Sequence, residues 1–148
     1  MCSNPLGGRL LSDRQLREVG REYVETVWPF ARDWILAALE RGDGEWDEGS
    51  LLGALVSGDL RLLVAVENVV RGVLVCQLCD GPLEREAHVL YAAGAAFTCD
   101  AAWIEARLSE WAKANGAGVL QAYGRPALVR VLAKSGWQEK YRVVRKRI

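Results

Sequence analysis

Short β-rich runs and helical patterns alternate along the second half of the chain. Three β-rich runs span residues 60–66, 69–79 and 86–95. Turn-forming residues separate them, at Glu67-Asn68 and at Asp80-Gly81-Pro82. The pattern predicts an antiparallel meander of three strands.

The region before the meander has helical spacing. Leu16, Val19, Tyr23 and Val27 recur at intervals that place them on one helix face, after a capping-box pattern at Ser12-Asp13-Arg14-Gln15. They predict a helix, although Gly20 leaves open a short first strand at residues 16–19 instead.

A second helix is predicted from Pro29 to about Arg41, with Gly42 as its stop. The side chains expected on its buried face are Phe30, Trp34, Ile35, Ala38 and Leu39. The acidic, glycine-rich stretch 42–49 follows, and its carboxylates are expected to form a solvated loop and to cap a short helix over residues 48–56.

The meander is followed by a helix–strand–helix–strand pattern. The predicted bounds are 101–115, 118–123, 126–134 and 137–146. The chain of 148 residues is therefore predicted to be a single α/β (α+β) domain, with a mixed, mostly antiparallel central sheet of about six strands flanked by about four helices. Residues 1–12, with Pro5 and Gly7-Gly8, are expected to be a flexible arm.

Charge and hydropathy exclude several classes of protein. The 19 basic residues balance the 19 acidic ones, so a nucleic-acid partner is not expected. No apolar run reaches the about 20 residues that span a bilayer, and the N-terminus lacks the pattern of a secretion signal. We expect a protein of the cytoplasm, without a membrane partner.

The four cysteines do not form a recognisable metal or disulfide framework. Cys76 and Cys79 match C-x-x-C, but they lie in a predicted strand, where residues three apart point to opposite faces. Buried structural thiols are expected there. A zinc set completed by His88 and Cys99 has unusual spacing, so no metal is predicted.

The order of elements and several short motifs resemble the GNAT (Gcn5-related N-acetyltransferase) family, and in particular its small members encoded by bacteriophages and prophages. The resemblance covers about residues 20–148. The motifs that carry it are Trp28-Pro29, Gly58-Asp59-Leu60-Arg61-Leu62-Leu63-Val64-Ala65, Gly124-Arg125, and the helix-Gly, strand, helix-Gly-Trp ending over residues 112–137.

The resemblance implies an acetyl-CoA site after the fourth strand. One register of the family's phosphate loop places Ala93, Gly94 and Ala95 in the cradle, with Arg125 as a further contact. The register next to the helix instead places Thr98 or Asp100 at the helix N-cap. A carboxylate there would repel a diphosphate, and no Lys or Arg lies between Glu86 and Glu105 to offset it.

The resemblance also implies a tyrosine acid in the last helix, but that position is Leu132. Tyr123 and Tyr141 are the candidate substitutes, and sheet packing is the competing explanation of both. Glu84 and Glu86 are candidate bases for an amine, or else polar residues at the start of a strand. His88, the only histidine, is expected to be packed or hydrogen-bonded.

Three residues are predicted to contact a protein partner. Trp46, in the acidic loop, is the candidate anchor. Arg145 and Arg147 belong to a basic C-terminal segment, for which an edge strand guarded by charges is the other interpretation. Pairing of that segment with the acidic loop of a second copy would give head-to-tail self-association.

These observations lead to one main hypothesis and two alternatives. The main one is a phage-type GNAT-like protein with a degenerate acetyl-CoA site, acting without catalysis and without a cofactor as a binding or virion-assembly component. The first alternative is an active acetyl-CoA-dependent N-acetyltransferase; the second is a regulator that binds a host protein through the meander edge. A V-shaped opening between the fourth and fifth strands with coenzyme in it favours the enzyme, and an opening plugged by Tyr91, Phe97 or Trp103 favours the scaffold.

Overall fold

A computed structural model describes residues 14–42, 45–96, 100–123 and 126–148 of the chain. The strands are β1 (Gln15–Val19), β2 (Arg61–Glu67), β3 (Val69–Asp80), β4 (Arg85–Ala93) and β5 (Ala117–Ala122). The α-helices are α1 (Val24–Arg41), α2 (Glu48–Ser57), α3 (Ala101–Ala114) and α4 (Pro126–Ala133), with one 3-10 turn at Arg21–Tyr23. The predicted arm at residues 1–12 lies outside the described residues.

The strands form one sheet in the order β1-β2-β3-β4-β5. The first four strands are antiparallel neighbours, and β5 runs parallel to β4. The mixed, mostly antiparallel sheet is therefore confirmed, with five strands in the described part of the chain. The predicted last strand is wrong, because residues 137–148 follow α4 with no strand pairing.

Helices cover both faces of the sheet and give it two hydrophobic cores. α1 and α2 pack on the face that carries Val73 and Val75 of β3. α3 packs on the opposite face, with Leu74 and Cys76. The alternation along β3 follows from the two-residue period of a strand, and it makes this strand the centre of the fold.

The first predicted helix is wrong, and the short first strand is confirmed. Leu16 pairs with Ala65 of β2, and Val19 pairs with Leu62. Gly20 then takes an extended conformation (φ −55°, ψ 140°) that cannot continue a helix. Pairing with the edge of β2 satisfies the backbone and outweighs the helical spacing.

The predicted end of the second helix is confirmed, but its predicted start and its predicted buried face are wrong. It begins at Val24 rather than Pro29, which lies inside it. Its buried residues are Val24, Trp28, Ala31, Ile35 and Ala38, at alternating intervals of four and three. Phe30 is off this stripe and is 70% exposed, so its predicted burial is wrong.

The short helix after the acidic loop is confirmed together with its cap. Asp47 accepts a hydrogen bond from the Ser50 N–H (2.7 Å), and the Ser50 hydroxyl accepts one from the Asp47 N–H (3.1 Å). This reciprocal pair is a capping box. Gly58, at φ +88°, ends the helix in the left-handed conformation that glycine favours.

Candidate functional site

The pairing of β4 with β5 ends before β4 does, and we call this point the parting of β4 and β5. Their parallel register runs from Arg85–Ala117 to Val89–Ala122, whereas β4 continues to Ala93. A bulge lies at the same point, because Val89 faces Cys76 and Tyr91 faces Val75, which leaves Leu90 as an extra residue. Bulges bend a strand and redirect its side chains. Beyond this point β4 continues for four residues that have no pair on the β5 side.

A hydrogen-bonded chain of polar side chains lies beside this parting. The Gln121 amide donates to the Tyr123 hydroxyl at 3.0 Å, and that hydroxyl is 3.2 Å from Nδ1 of His88. On the other side of the ring, His88 Nε2 is 2.8 Å from Oε1 of Glu86. Tyr123 also meets the imidazole edge to face, with ring centroids 5.8 Å apart. We call these four residues the polar relay.

The relay lies on the sheet face that α1 and α2 cover. The alternate residues Ala87 and Val89 point into the cores under α3, so Glu86 and His88 point the other way. The His88 side chain is only 13% exposed and that of Glu86 is 24% exposed. The relay is therefore a half-buried feature at the margin of the first core.

The electrostatics of the relay fix the direction of its hydrogen bonds. The hydrogen bond with His88 is the main cause that holds the pKa of Glu86 below its ordinary value, and Lys140 adds to it. An ionised Glu86 only accepts, so Nε2 of His88 donates to it, and in the neutral ring Nδ1 is then the acceptor. Burial raises the pKa of Tyr123, which keeps it a phenol that donates to Nδ1.

Cys79 is a second neighbour of the same ring nitrogen. Its Sγ atom lies 3.8 Å from Nδ1 of His88, and its side chain is partly exposed. Burial, Glu86 and Asp80 raise its pKa, so it rests as a thiol. Cys76 is fully buried in the core, as predicted, and its pKa is raised to about 12. The expected burial of Cys79 is thus only partial.

The N-terminus of α3 carries a charge pair that the sequence did not reveal. Arg14 lies 2.7 Å from the Asp100 carboxylate and stacks over the Trp103 ring at 4.9 Å. Asp100 makes no side-chain hydrogen bond to the helix that follows it. The expectation that nothing offsets Asp100 is wrong, since the offsetting arginine is the residue directly before β1.

The predicted cradle residues have clear structural roles. Ala93 is buried in the first core. Gly94 has φ +117°, and a Cβ atom there would lie 2.5 Å from the Gly72 Cα and 2.6 Å from the Arg71 carbonyl oxygen. The close approach to β3 therefore explains the glycine without a ligand. Arg125 lies outside the described residues, and no finding tests a coenzyme contact at Ala95.

Tyr91 and Trp103, two of the residues proposed to plug the opening, lie on opposite sides of the sheet. Tyr91 packs against the first core, on the α1 side. Trp103 packs against the second core and under Arg14, on the α3 side. A small cavity of about 10 Å³ beside Arg14, Asp100 and Trp103 has room for about one water. Phe97 lies outside the described residues.

The predicted partner contacts are partly engaged within the chain. Trp46 is half-buried and packs against the first core, so it is not the exposed anchor that was expected. Arg145 lies 2.6 Å from Glu45 of the acidic loop, while Arg147 is exposed. Contact of these three residues with a partner stays a prediction.

Sequence reasoning named most of the relay but did not assemble it. Glu86, His88 and Tyr123 were each singled out, with different roles. The contact of Cys79 with His88 was missed, and so was the amide of Gln121. The register of β4 with β5, which pairs His88 with Gln121, is the signal that joins them.

Two kinds of feature do not occur among the described residues. None of their groups of His, Cys, Asp and Glu could hold a metal ion. Over the same residues, no helix is both long enough and apolar enough to cross a membrane.

Several solved structures with the same fold are acetyltransferases. An aminoglycoside acetyltransferase, meta-AAC0020, from an uncultured soil metagenomic sample in complex with sisomicin matches 95% of this chain and 98% of its own, at 11% identity and a TM-score of 0.67. A second aminoglycoside acetyltransferase, HMB0005, from an uncultured soil metagenomic sample, matches 91% of this chain and 98% of its own, at 16% identity and a TM-score of 0.67. A predicted acetyltransferase from Clostridium acetobutylicum, in a structure with acetyl-CoA, matches 90% of this chain and 96% of its own, at 14% identity and a TM-score of 0.64.

These likenesses show a GNAT-like fold and give no support to a phage origin or to an assembly role. No family model matches the chain, and no curated protein does.

Proposed function

We propose that this GNAT-like chain is an acetyl-CoA-dependent N-acetyltransferase that acts on an amine. The observation that carries the proposal is the polar relay, in which Gln121, Tyr123, His88 and Glu86 are linked by hydrogen bonds of 2.8 to 3.2 Å beside the parting of β4 and β5. A base and an acid in one connected chain are what acyl transfer to an amine requires.

The residues at the start of α3 fit the diphosphate of acetyl-CoA. The first N–H groups of a helix attract anions, and here Asp100 does not cap them through its side chain. Arg14 neutralises the carboxylate that would repel a diphosphate. Arg71 also lies at the rim of the small cavity, where its guanidinium is paired with the Glu67 carboxylate at 3.8 Å.

The parting of β4 and β5 is the proposed entry of the pantetheine arm to the relay. The pantetheine arm would enter between β4 and β5, past the bulge at Leu90, and the thioester would reach the side of the sheet where Tyr123 and His88 lie. The backbone N–H groups near residues 93–95 do not hold the oxygen of that thioester, because Ala93 lies five residues beyond His88 along β4, about 16 Å at the rise of a strand.

In this proposal the amine attacks the thioester directly. Nδ1 of His88 accepts the proton of the amine, and Glu86 stabilises the ring by accepting from Nε2. Tyr123 donates a proton to the departing thiolate and regains one through its contact with Nδ1. Tyr123 thus takes the role that Leu132 cannot.

The structural relatives indicate which acceptor amines to screen first. Two structural relatives are aminoglycoside acetyltransferases, and one of them is in complex with sisomicin. Aminoglycosides are therefore the first amines to screen, with simple polyamines as a second set.

Titration calorimetry with acetyl-CoA and with coenzyme A tests the binding step, and release of free thiol in the presence of amines tests the transfer. We expect micromolar binding and amine-dependent release. His88→Gln should bind acetyl-CoA as the wild type does and should release thiol about 10²-fold more slowly. Lack of binding at millimolar acetyl-CoA would overturn the proposal.

A further inference from the structure

We propose that Gln121 is the positioning residue that directs the proton of Tyr123. Its amide N–H occupies one side of the hydroxyl oxygen, which leaves the phenol proton to Nδ1 of His88 at rest and to the leaving sulfur once Nδ1 holds a proton. This inference rests on the proposed function and deepens it, because it names the group that sets the direction of the acid in the same direct transfer.

The alternation of β5 places Gln121 beside its target. Leu120 and Ala122 of this strand pack against the second core. The alternate residues Gln121 and Tyr123 therefore face the opposite side, where the relay lies. Gln121 also pairs with His88 across β5 and β4. The backbone N–H of Tyr123, directly after β5, donates to a carbonyl of β4 at 3.4 Å and so continues the pairing by one residue.

The hydrogen-bonding capacity of a phenol fixes the orientation of the Gln121 amide. A phenol has one proton, and at rest Tyr123 donates it to Nδ1 of His88 at 3.2 Å. The hydroxyl oxygen can then only accept from Gln121, whose Nε2 atom lies 3.0 Å away. The amide therefore presents its N–H, and not its oxygen, to Tyr123.

The direction of this hydrogen bond makes proton release by Tyr123 depend on the step at the amine. When Nδ1 of His88 has accepted the proton of the amine, it becomes a donor to the same hydroxyl oxygen. Gln121 and His88 then both donate to that oxygen, so the phenol proton turns towards the departing thiolate. The thiolate takes this proton, and the proton on Nδ1 replaces it on the oxygen of Tyr123.

The surroundings of Tyr123 oppose release of its proton, and Gln121 counters them. The titratable groups near the hydroxyl in the described part of the chain are His88 of β4, Cys79 of β3, Tyr141 of the C-terminal segment and Glu45 of the acidic loop. Burial is the largest cause that raises the pKa of Tyr123, and the last three of these groups add to it. The hydrogen bond from Gln121 lowers that pKa, because an N–H donor stabilises the phenolate.

The test is the pKa of the Tyr123 phenol, measured by NMR on protein labelled with carbon-13 at the tyrosine Cζ atom and assigned through Tyr123→Phe. We expect Gln121→Leu to raise this pKa, because the phenolate loses its donor. Gln121→Glu, which keeps the size of the side chain, should raise it further, since a carboxylate only accepts and adds a negative charge.

Gln77→Leu is the matched control. Gln77 pairs with the same His88 from the other side, across β3 and β4. In the described part of the chain, the hydrogen bond to the Tyr123 hydroxyl comes from Gln121 and not from Gln77. Gln77→Leu should therefore leave the pKa of Tyr123 and kcat as they are in the wild type.

The kinetics of the same variants test the consequence for transfer. Gln121→Leu should lower kcat for acetylation of an amine by about 10-fold, with KM for acetyl-CoA unchanged. Thermal melting checks that each variant folds, and Gln121→Glu replaces Gln121→Leu if the latter is unstable. A lower kcat with an unchanged pKa of Tyr123 would overturn the inference, and so would a raised pKa with an unchanged kcat.

The NMR titration keeps the inference separate from the proposed function, because it needs neither acetyl-CoA nor an amine. If acetyl-CoA does not bind, the proposed function fails, yet a raised pKa of Tyr123 in Gln121→Leu still supports Gln121 as the residue that directs the phenol. If amines are acetylated while this pKa and kcat stay unchanged in Gln121→Leu, the proposed function stands and the inference is overturned.

Discussion

At the scale of single residues, Tyr123 is the group whose role depends most on a contact between distant parts of the chain. It is 35 residues from His88 in sequence and 3.2 Å away in space. Tyr141, the other candidate acid, is 58% exposed in the C-terminal segment. The two tyrosines are therefore a matched pair for mutagenesis.

We expect Tyr123→Phe to lower kcat for acetyl transfer by about 10²-fold, because the phenol that protonates the leaving thiolate is lost. Affinity for acetyl-CoA should not change. Steady-state kinetics with calorimetry separates the two effects. Tyr141→Phe is the control and should keep the wild-type kcat. A loss of kcat in Tyr141→Phe, with none in Tyr123→Phe, would show that Tyr141 is the acid.

Asp47 is a residue whose contribution should depend on pH. The Ser50 N–H, followed by the Ser50 side chain, lowers its pKa from the ordinary value of 3.8 in the folded chain. The cap therefore contributes its full stabilisation at pH values above the ordinary pKa of Asp47. The stabilisation is lost as the pH falls through the lowered pKa of the folded chain. We expect Asp47→Ala to lower the denaturation midpoint near neutral pH, with a difference from the wild type that shrinks under acid. A constant difference down to about pH 2 would contradict this explanation.

At the scale of elements, the junction of β3 with the end of β4 depends on one glycine. Gly94 combines a positive φ with the close approach of the Arg71–Gly72 backbone, so any side chain must displace a strand. That approach holds the end of β4 where the strands part.

We expect Gly94→Ala to destabilise the fold by about 1–3 kcal/mol, because strain at φ +117° adds to the clash. Denaturant unfolding measures it. Gly53→Ala in α2 is the control: nothing lies within 4 Å of a Cβ there, and the change should be neutral or stabilising by up to about 1 kcal/mol. Equal effects of both variants would show that the close approach does not matter.

At the scale of the whole molecule, the acidic loop and the basic C-terminal segment meet within one chain. Arg145 and Glu45 are 2.6 Å apart, although both are about half exposed. Trp137, at the start of the same segment, donates from its indole to Glu105 of α3 at 2.9 Å. The segment thus contacts opposite sides of its own domain.

We expect the chain to be a monomer at low and at moderate salt, because the charges proposed for head-to-tail contact are paired within the molecule. Sedimentation velocity at two salt concentrations checks this. A dimer at low salt that dissociates at moderate salt would show that the same charges prefer a second copy.

The sequence predicted well where the signal was local. The meander, α2 with its Asp47 cap, and α3 follow from strand alternation, turn residues and helix signals within a few residues of each other. It failed where a local pattern was ambiguous or needed a distant partner. Residues 15–19 have helical spacing but pair with β2, and residues 137–146 alternate like a strand but form none.

What the sequence by itself determined is the class of fold, because hydrophobic period and turn chemistry are properties of neighbouring residues. Only the tertiary structure decided the site. The contacts of Arg14 with Asp100 and of Tyr123 with His88 join segments far apart in the chain. No local pattern encodes such contacts, since they depend on strand register and on how distant segments of the chain pack.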